Sequence, residues 1–463
     1  MPRPPPDPSR LTLLLQTRGA MASRAITGEL DISPATLARI VARLGPSIER
    51  FGAARSTRYA LRRPVRNFGS EWPVYRISDA GRPQTWGTLR ALHRGFRFVP
   101  SARAPEWMER EYVDGIFPGL PHFLQDLRPQ GYLGRAIARE IAPRLGVPPD
   151  LRLWSDDDML SYFLTDGQDL PGDLVLGDHA LERALRAVGN PVPEADRERA
   201  YPQQAAAAQR GELAGSSAGG EQPKFLATVR RVSGVPQPVL VKFSAAEPSP
   251  VSARWADLLA CEHLAAATLR DRRIACARTG LLDAGGRRFL EVERFDRQGA
   301  AGRRGVLSLG ALEDAFLEHS SSDWVAAAAG LEQENWIAPE DARTLRWIWC
   351  FGDLIANTDM HRANAGFWFT DALPWRLAPF YDMLPMHYAP GPQGDLSERA
   401  FAPRPPLAGV ADVWGEAAGA ALDFWGRVAA EARISAEARI SAAFRAVAAD
   451  NQATVARMLR QFG

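Results

Sequence analysis

The chain has 463 residues, enough for two or three domains with large cores, and its 46% hydrophobic and 24% charged content is ordinary for a globular protein. No apolar run reaches the ~20 residues a membrane span needs. Cys261, Cys276 and Cys350 form no CxxC pair, which argues against a disulfide framework or a zinc site and fits a reducing cytoplasm. The net charge of +2 hides an asymmetry: residues 1–64 hold 11 arginines against Asp7, Glu29, Asp31 and Glu49, while the remainder carries 45 bases and 50 acids. A basic end on an acidic body suggests a nucleic-acid-binding module joined to something else. Only Lys224 and Lys242 are lysines among 56 basic residues, so those two positions stand out.

The proline-rich start, Met1–Ser9, lacks the apolar core of a signal peptide and reads as a disordered leader. Residues 9–64 predict a winged helix-turn-helix. Leu11, Leu14 and Leu15 mark a helix over Arg10–Thr17, and a second runs over Ser23–Leu30. Asp31-Ile-Ser-Pro34 supplies a turn, an N-cap and a first-position proline for a third helix, Ala35–Leu44. Leu37, Ile40, Val41 and Leu44 face inward there, leaving Thr36, Arg39 and Arg43 to reach DNA. Strands Ile48–Phe51 and Thr57–Leu61 flank a wing, Gly52–Ser56. The alternative is a helical protein-interaction module with a solvated basic face.

Residues 65–210 are less informative. Val74–Ile77 and Phe96–Val99 read as strands and Ala136–Leu145 as a helix. Asp156-Asp-Asp158 is expected to cap a helix rather than bind metal. The polar, alanine-rich segment 194–210 reads as a linker or an exposed helix.

Nucleotide signals follow. The segment 211–225 is rich in glycine and serine and enters a strand, Phe225–Val229; backbone N–H groups of such a loop, around Gly219 and Gly220, can line phosphates. The strand Val239–Phe243 sets Lys242 among alternating apolar residues, the form of a kinase strand lysine. Helix Trp255–Leu269 contains Glu262, which predicts a Lys242–Glu262 pair. Arg287–Arg297 reads as a strand ending in a charged turn.

The remainder is mainly helical, with segments Ser308–His319, Asp323–Ala329 and Pro339–Ile355 leading to a polar break at Asn357–Asn364. Asp359 and Asn364 stand five residues apart, and Asp382 follows. A kinase catalytic loop has this layout. Phosphoryl transfer needs a carboxylate to orient the attacking hydroxyl, and an amide plus a second carboxylate to hold Mg²⁺ through oxygen. The alternative is a polar turn with Asn and Asp as caps.

Four stretches in this order resemble the HipA family of bacterial toxin kinases: Ser217-Ala-Gly-Gly-Glu-Gln-Pro-Lys224, Glu293-Arg-Phe-Asp-Arg297, Asn357-Thr-Asp-Met-His-Arg-Ala-Asn364 and Phe380-Tyr-Asp-Met-Leu384. The likeness covers about residues 110–460, and the N-terminal winged helix makes the chain similar to the YjjJ-type subgroup. The resemblance implies an α+β fold in three parts: a winged helix over 1–64, a HipA-like N-terminal subdomain with nucleotide-binding lobe over 65–300, and a helical catalytic lobe over 301–463. It implies ATP and Mg²⁺ as cofactors, Asp359 as base, Asn364 and Asp382 as metal ligands and Lys242 on the ATP phosphates. The backbone of Glu293 and Phe295 would hold adenine, with Asp296 near the ribose, and Ser217 or Ser216 would be autophosphorylated. It further implies transfer to serine or threonine of a translation protein such as an aminoacyl-tRNA synthetase, DNA as a partner, and an antitoxin or a second copy as another. A small-molecule kinase of the aminoglycoside or choline type, and a transcription regulator with an ATP-sensing domain, are the rival readings.

Overall fold

A computed structural model describes residues 7–186, 190–210, 222–318, 323–391, 393–396, 400–430 and 439–463. Asp7 caps the first helix, Pro8–Arg18, by accepting the Ser9 N–H at 2.9 Å, so this helix starts two residues before the apolar pattern suggests. Helices Ser23–Leu30 and Pro34–Leu44 follow; Ser33 caps the latter at the Thr36 N–H, with Pro34 in its first turn. Leu11, Leu15, Ile26, Leu37 and Ile40 bury against Ile48, Tyr59 and Leu61. Those last three belong to a small antiparallel sheet, ordered Met21–Ala22, Arg58–Leu61, Ile48–Phe51. Gly52 turns its hairpin at φ +73, where a Cβ would lie 2.4 Å from the Ser56 carbonyl oxygen.

The span 65–300, expected as one unit, contains two five-stranded sheets. The first is antiparallel, ordered Ile116–Phe117, Gly95–Pro100, Pro83–Leu92, Glu71–Ile77, Leu174–Leu176. Its aromatic core of Trp86, Phe98, Trp107 and Phe123 runs unbroken into Phe369 and Trp375 of the C-terminal part.

The N-terminal unit is clamped to this sheet. Glu49, 2% exposed, receives Arg62 and Arg90 at 2.6 Å and also Arg97. Backbone bonds from Arg63 N to Ala91 O and from His93 N to Leu61 O stitch the junction. Beyond it, the Asp156–Asp166 helix begins at the acid triplet, with Ser155 as its cap. Each acid also holds an arginine. Arg63 grips Asp157 through two 2.7 Å bonds, Arg66 pairs with Asp158, and Arg128 pairs with Asp156 at 2.7 Å.

The second sheet runs Thr279–Ala284, Arg287–Glu293, Pro236–Phe243, Lys224–Arg230, Val192–Pro193, with only the last pairing parallel. Helix Pro250–Asp271 packs Leu259 on Leu290 and Val292. The segment 194–210 is no linker; it is a surface helix that exposes Glu198, Arg199, Gln203 and Gln209 on one face. It forms helix Arg197–Gln209, whose Tyr201 is fully buried against Phe225 and Phe289 and donates to Glu291. Tyr201, Ala205 and Ala208 bury its inner face. Helices Leu309–Phe316, Trp324–Gln333, Pro339–Leu354, Ala411–Ala429 and Ala442–Phe462 complete the chain. No described helix is long and apolar enough to cross a membrane.

Candidate functional site

The second sheet and the polar break meet in a cleft with apolar walls at Leu226, Leu240, Val292, Phe295 and Val306. Charged residues, Lys224, Lys242, Glu262 and Asp382 among them, complete its lining. Lys224 and Lys242 lie directly opposite each other on neighbouring strands, so both side chains leave the same face of the sheet. Both line the cleft and both are almost fully buried. The Lys242 Nζ donates to both Glu262 oxygens at 2.7 Å, the predicted pair, and also to Asp382. Burial alone would depress the Lys242 ammonium, but Asp382 and Glu262 overcome it and hold the pKa above its ordinary value. Burial pushes Asp382 up, yet Lys242 and Lys224 prevail and keep it below the usual carboxylate range. At Glu262 burial wins over Lys242, and the carboxyl is raised.

Helix Pro339–Leu354 delivers the polar turn to this point. Asn357, 5% exposed, joins two segments: its Oδ1 accepts the Asp359 N–H at 3.1 Å and its Nδ2 donates to the Asp382 carbonyl at 3.3 Å. Asp382 takes φ +61, a conformation that side-chain-bearing residues seldom adopt. Asn364 Nδ2 donates to the Asp359 carbonyl at 2.8 Å, and Tyr381 donates to the Ala363 carbonyl at 2.6 Å. The Asp359 carboxylate is half exposed, 4.0 Å from His361 Nε2. Partial burial raises its pKa against the pull of His361. Asp359 therefore stands beside the cleft, while Asn364 and Asp382 line it.

The expected adenine and ribose contacts divide. Glu293 gives its N–H to the Arg278 carbonyl at 2.8 Å, so it can serve a ligand only as an acceptor. Asp296 lines the cleft, but its carboxylate is already held by Arg294 at 2.9 Å, by Arg297 and by the Gly172 N–H at 2.9 Å. Burial raises its pKa, the two guanidiniums outweigh burial, and it stays well below the carboxylate range. The Asp296 carboxylate that lines the cleft is thus part of an ion pair with two arginines. Ser216, Ser217, Gly219 and Gly220 lie outside the described residues. Thr36 is half-buried under a bond from Arg39, and Arg39 and Arg43 are exposed on the third helix.

Sequence reasoning missed Lys224 and Asn357 as site residues. The scarcity of lysine was the available signal for the first. The second had none beyond its place two residues before Asp359. The cleft suits a nucleotide: an apolar slot for a base ends at two buried ammonium groups that attract phosphates. Among the described residues no three His, Cys, Asp or Glu side chains form a metal cage. A Mg²⁺ held by one or two carboxylates plus phosphate oxygens needs no such cage, and Asp382 with the Asn364 amide fits that donor set.

Comparison with known proteins adds three findings. The family description "YjjJ-like toxin, middle domain" matches residues 68–185, and "HipA-like C-terminal domain" matches residues 216–454. The chain is 39% identical over 430 residues to Toxin YjjJ of Escherichia coli (strain K12), spanning 92% of this chain and 94% of that protein. A chain from the solved HipA, HipB and operator DNA complex of Shewanella oneidensis MR-1 superposes with a TM-score of 0.50 and 14% identity, covering 84% of this chain and 97% of that one. At that identity the likeness concerns the fold alone.

Proposed function

The chain belongs to the YjjJ-like toxins with a HipA-like C-terminal domain, and on that footing we propose that it is an ATP-dependent serine/threonine protein kinase. The observation that carries this reading is the pair of opposed, buried lysines facing Asp382 at the end of an apolar slot. Adenine lies against Leu240, Val292 and Phe295, with the Glu293 carbonyl as acceptor. Lys224 and Lys242 hold the phosphates, and Glu262 keeps Lys242 in place. Asn364 and Asp382 hold Mg²⁺, whose charge offsets that developing on the transferred phosphoryl group. Asp359 orients the acceptor hydroxyl and takes its proton, and its half exposure lets a protein substrate reach it. Asn357 positions Asp359 relative to Asp382 through its two bonds.

The acceptor in this reading is a serine or threonine of a cytoplasmic translation protein, with an aminoacyl-tRNA synthetase as the first to test. Ser216 or Ser217 is modified in turn and switches the enzyme off, because a phosphate adds ~2 negative charges next to those of the nucleotide. Residues 1–64 form a winged helix-turn-helix that binds DNA through Thr36, Arg39 and Arg43, supported by the three helices, the small sheet and the exposed arginines. The fold relative's complex with HipB and operator DNA favours an antitoxin or a second copy as a further partner. The test is incubation of the purified chain with radiolabelled ATP and a bacterial lysate, comparing wild type with Asp359→Ala. Label should enter a lysate protein and Ser216 or Ser217 with wild type only. Equal labelling by both proteins would end this reading.

A further inference from the structure

Every acidic residue on the wall of the cleft but one holds a cation. Lys242 bonds Glu262 and Asp382, Arg231 meets Glu293 at 3.3 Å, and Arg294 and Arg297 engage Asp296. Asp126 is the exception, with no ion pair among the described residues. It follows the short helix His122–Gln125, whose Phe123 belongs to the aromatic core of the first sheet.

Two bonds hold its carboxylate. The Ser308 N–H donates to Oδ2 and the Ser308 hydroxyl to Oδ1, each at 2.6 Å. The hydroxyl oxygen accepts the Ala311 N–H at 3.1 Å as the cap of helix Leu309–Phe316, so its proton is committed to Asp126. A carboxylate oxygen can accept two hydrogens, so each Asp126 oxygen keeps one lone-pair site. Asp126 is only half-buried and lines the cleft beside Ser308. Burial pushes its carboxyl up, against the pull of the two Ser308 bonds.

Its place along the cleft follows from strand register. Strands Val306–Ser308 and Gly366–Trp368 form a ribbon in which Val306 opposes Trp368 and Ser308 opposes Gly366. Val306 and Ser308 point to the same face, and both line the cleft. At the Val306 end, the Trp368 ring meets Phe295, the base contact, with centroids 5.8 Å apart. The Ser308 end is two strand residues away, about 7 Å. There Gly366 lies two residues past Asn364, the metal contact. Tyr381 spans the same interval: its ring lies 5.8 Å from that of Phe295, and its hydroxyl reaches the Ala363 carbonyl at 2.6 Å. Asp126 therefore stands between the base end and the metal end, where a nucleotide carries its sugar.

We propose that Asp126 binds the ribose hydroxyls of the nucleotide, so that the cleft selects ribonucleotides over deoxyribonucleotides. Hydroxyls are neutral donors, which suits a carboxylate with acceptor sites to spare. The assignment rests on the nucleotide reading of the cleft.

The test is calorimetric titration of the full chain with the Mg²⁺ complexes of ADP, 2′-deoxyADP and 3′-deoxyADP, none of which can donate a γ-phosphate. Three proteins are compared: wild type, Asp126→Ala and Asp126→Asn. A hydrogen bond to a charged group should make wild type bind ADP about tenfold or more tightly than at least one deoxy form. In Asp126→Ala, ADP should fall to the level of that deoxy form, whose own affinity changes little. Asp126→Asn keeps the shape and drops the charge; it should narrow the preference, and it serves if Asp126→Ala folds poorly. Equal losses for all three nucleotides in the variants would mean that Asp126 only ties its segment to Ser308. Equal binding of all three by wild type would mean that the sugar is not read. Either result overturns the assignment while the nucleotide reading stands, whereas wild type that binds none of the three overturns both.

Discussion

Replacing Lys242 by methionine isolates the electrostatics of the cleft from any chemistry performed there. The Nζ is 2.7 Å from each Glu262 oxygen and also bonds Asp382, and the residue is 3% exposed. Methionine keeps the unbranched stem and removes only the charge. Glu262 and Asp382 are then left facing each other in a buried site. Removing one partner of a buried ion pair costs about 3–5 kcal/mol, because the other charge stays uncompensated. The loss should depend on pH, with a definite sign. Burial already raises the Glu262 carboxyl, and without Lys242 it rises further. A carboxyl raised in the folded state favours folding below its unfolded pKa of about 4.3, and this contribution is lost as pH rises through the folded value. Asp382 acts in the same sense: its depressed pKa stabilises wild type above the ordinary carboxylate value, and the variant forfeits that. The gap in stability between the two proteins should therefore be widest near neutral pH and narrow on acidification. Adding Glu262→Gln to Lys242→Met should recover part of the loss. Denaturant unfolding followed by tryptophan fluorescence across pH reads all of this. A variant as stable as wild type at neutral pH, or a gap indifferent to pH, would refute the reasoning.

Three further outcomes are expected. Lys242→Arg keeps the charge, but a planar fork cannot take the place of a compact ammonium bonded to both Glu262 and Asp382; kinase activity should fall ~10²-fold with nucleotide affinity nearly unchanged, and near-normal activity would show that only charge matters there. Burial pushes Glu49 up, but Arg62 and Arg90 hold it below its ordinary value, so its contribution exists above that value and disappears as pH falls through the depressed one. Hydrogen exchange at Leu61 and His93 should accordingly speed up on acidification, and at neutral pH in Glu49→Gln; unchanged protection in that variant contradicts the clamp. DNA binding by the full chain should weaken steeply with salt, and the double change Arg39→Ala, Arg43→Ala should lower the slope of log K against log salt by about two; a salt-indifferent gel shift speaks against the N-terminal reading.

Local pattern was a good guide where function and fold are written in one stretch. Pro34 and Ser33 announced their helix, and Asp359 to Asn364 announced a polar turn, because capping and turn chemistry act over a few residues. The Lys242–Glu262 pair was also readable, since one buried cation on a strand demands a nearby acid. Lys224 was harder: nothing local says that it faces Lys242, which depends on the register between two strands. Strand Pro83–Leu92 was missed because Gly87 and Arg90 dilute its apolar alternation, although Gly87 is there to admit the Phe98 ring, 2.4 Å from where a Cβ would sit. Asp296 is a different case. Its position in the motif suggested a ligand contact, and it does line the cleft, but its pairing with Arg294 and Arg297 was not legible in the motif.

The acid triplet at the start of the Asp156–Asp166 helix has a mechanical consequence. Three consecutive carboxylates each grip a guanidinium from a different place: Arg63 and Arg66 from the strap that leaves the N-terminal unit, and Arg128 from the wall of the cleft. One rigid helical turn thereby acts as a bracket with three bolts. Arg63, the bracket and Arg128 thus form one continuous chain of ion pairs from the N-terminal unit to the cleft wall. The bolts are partly exposed ion pairs, so salt softens them in a way it cannot soften an apolar seam. Salt should therefore soften this route from the N-terminal unit to the cleft, while the buried Glu49 clamp and the backbone bonds at the junction keep their hold.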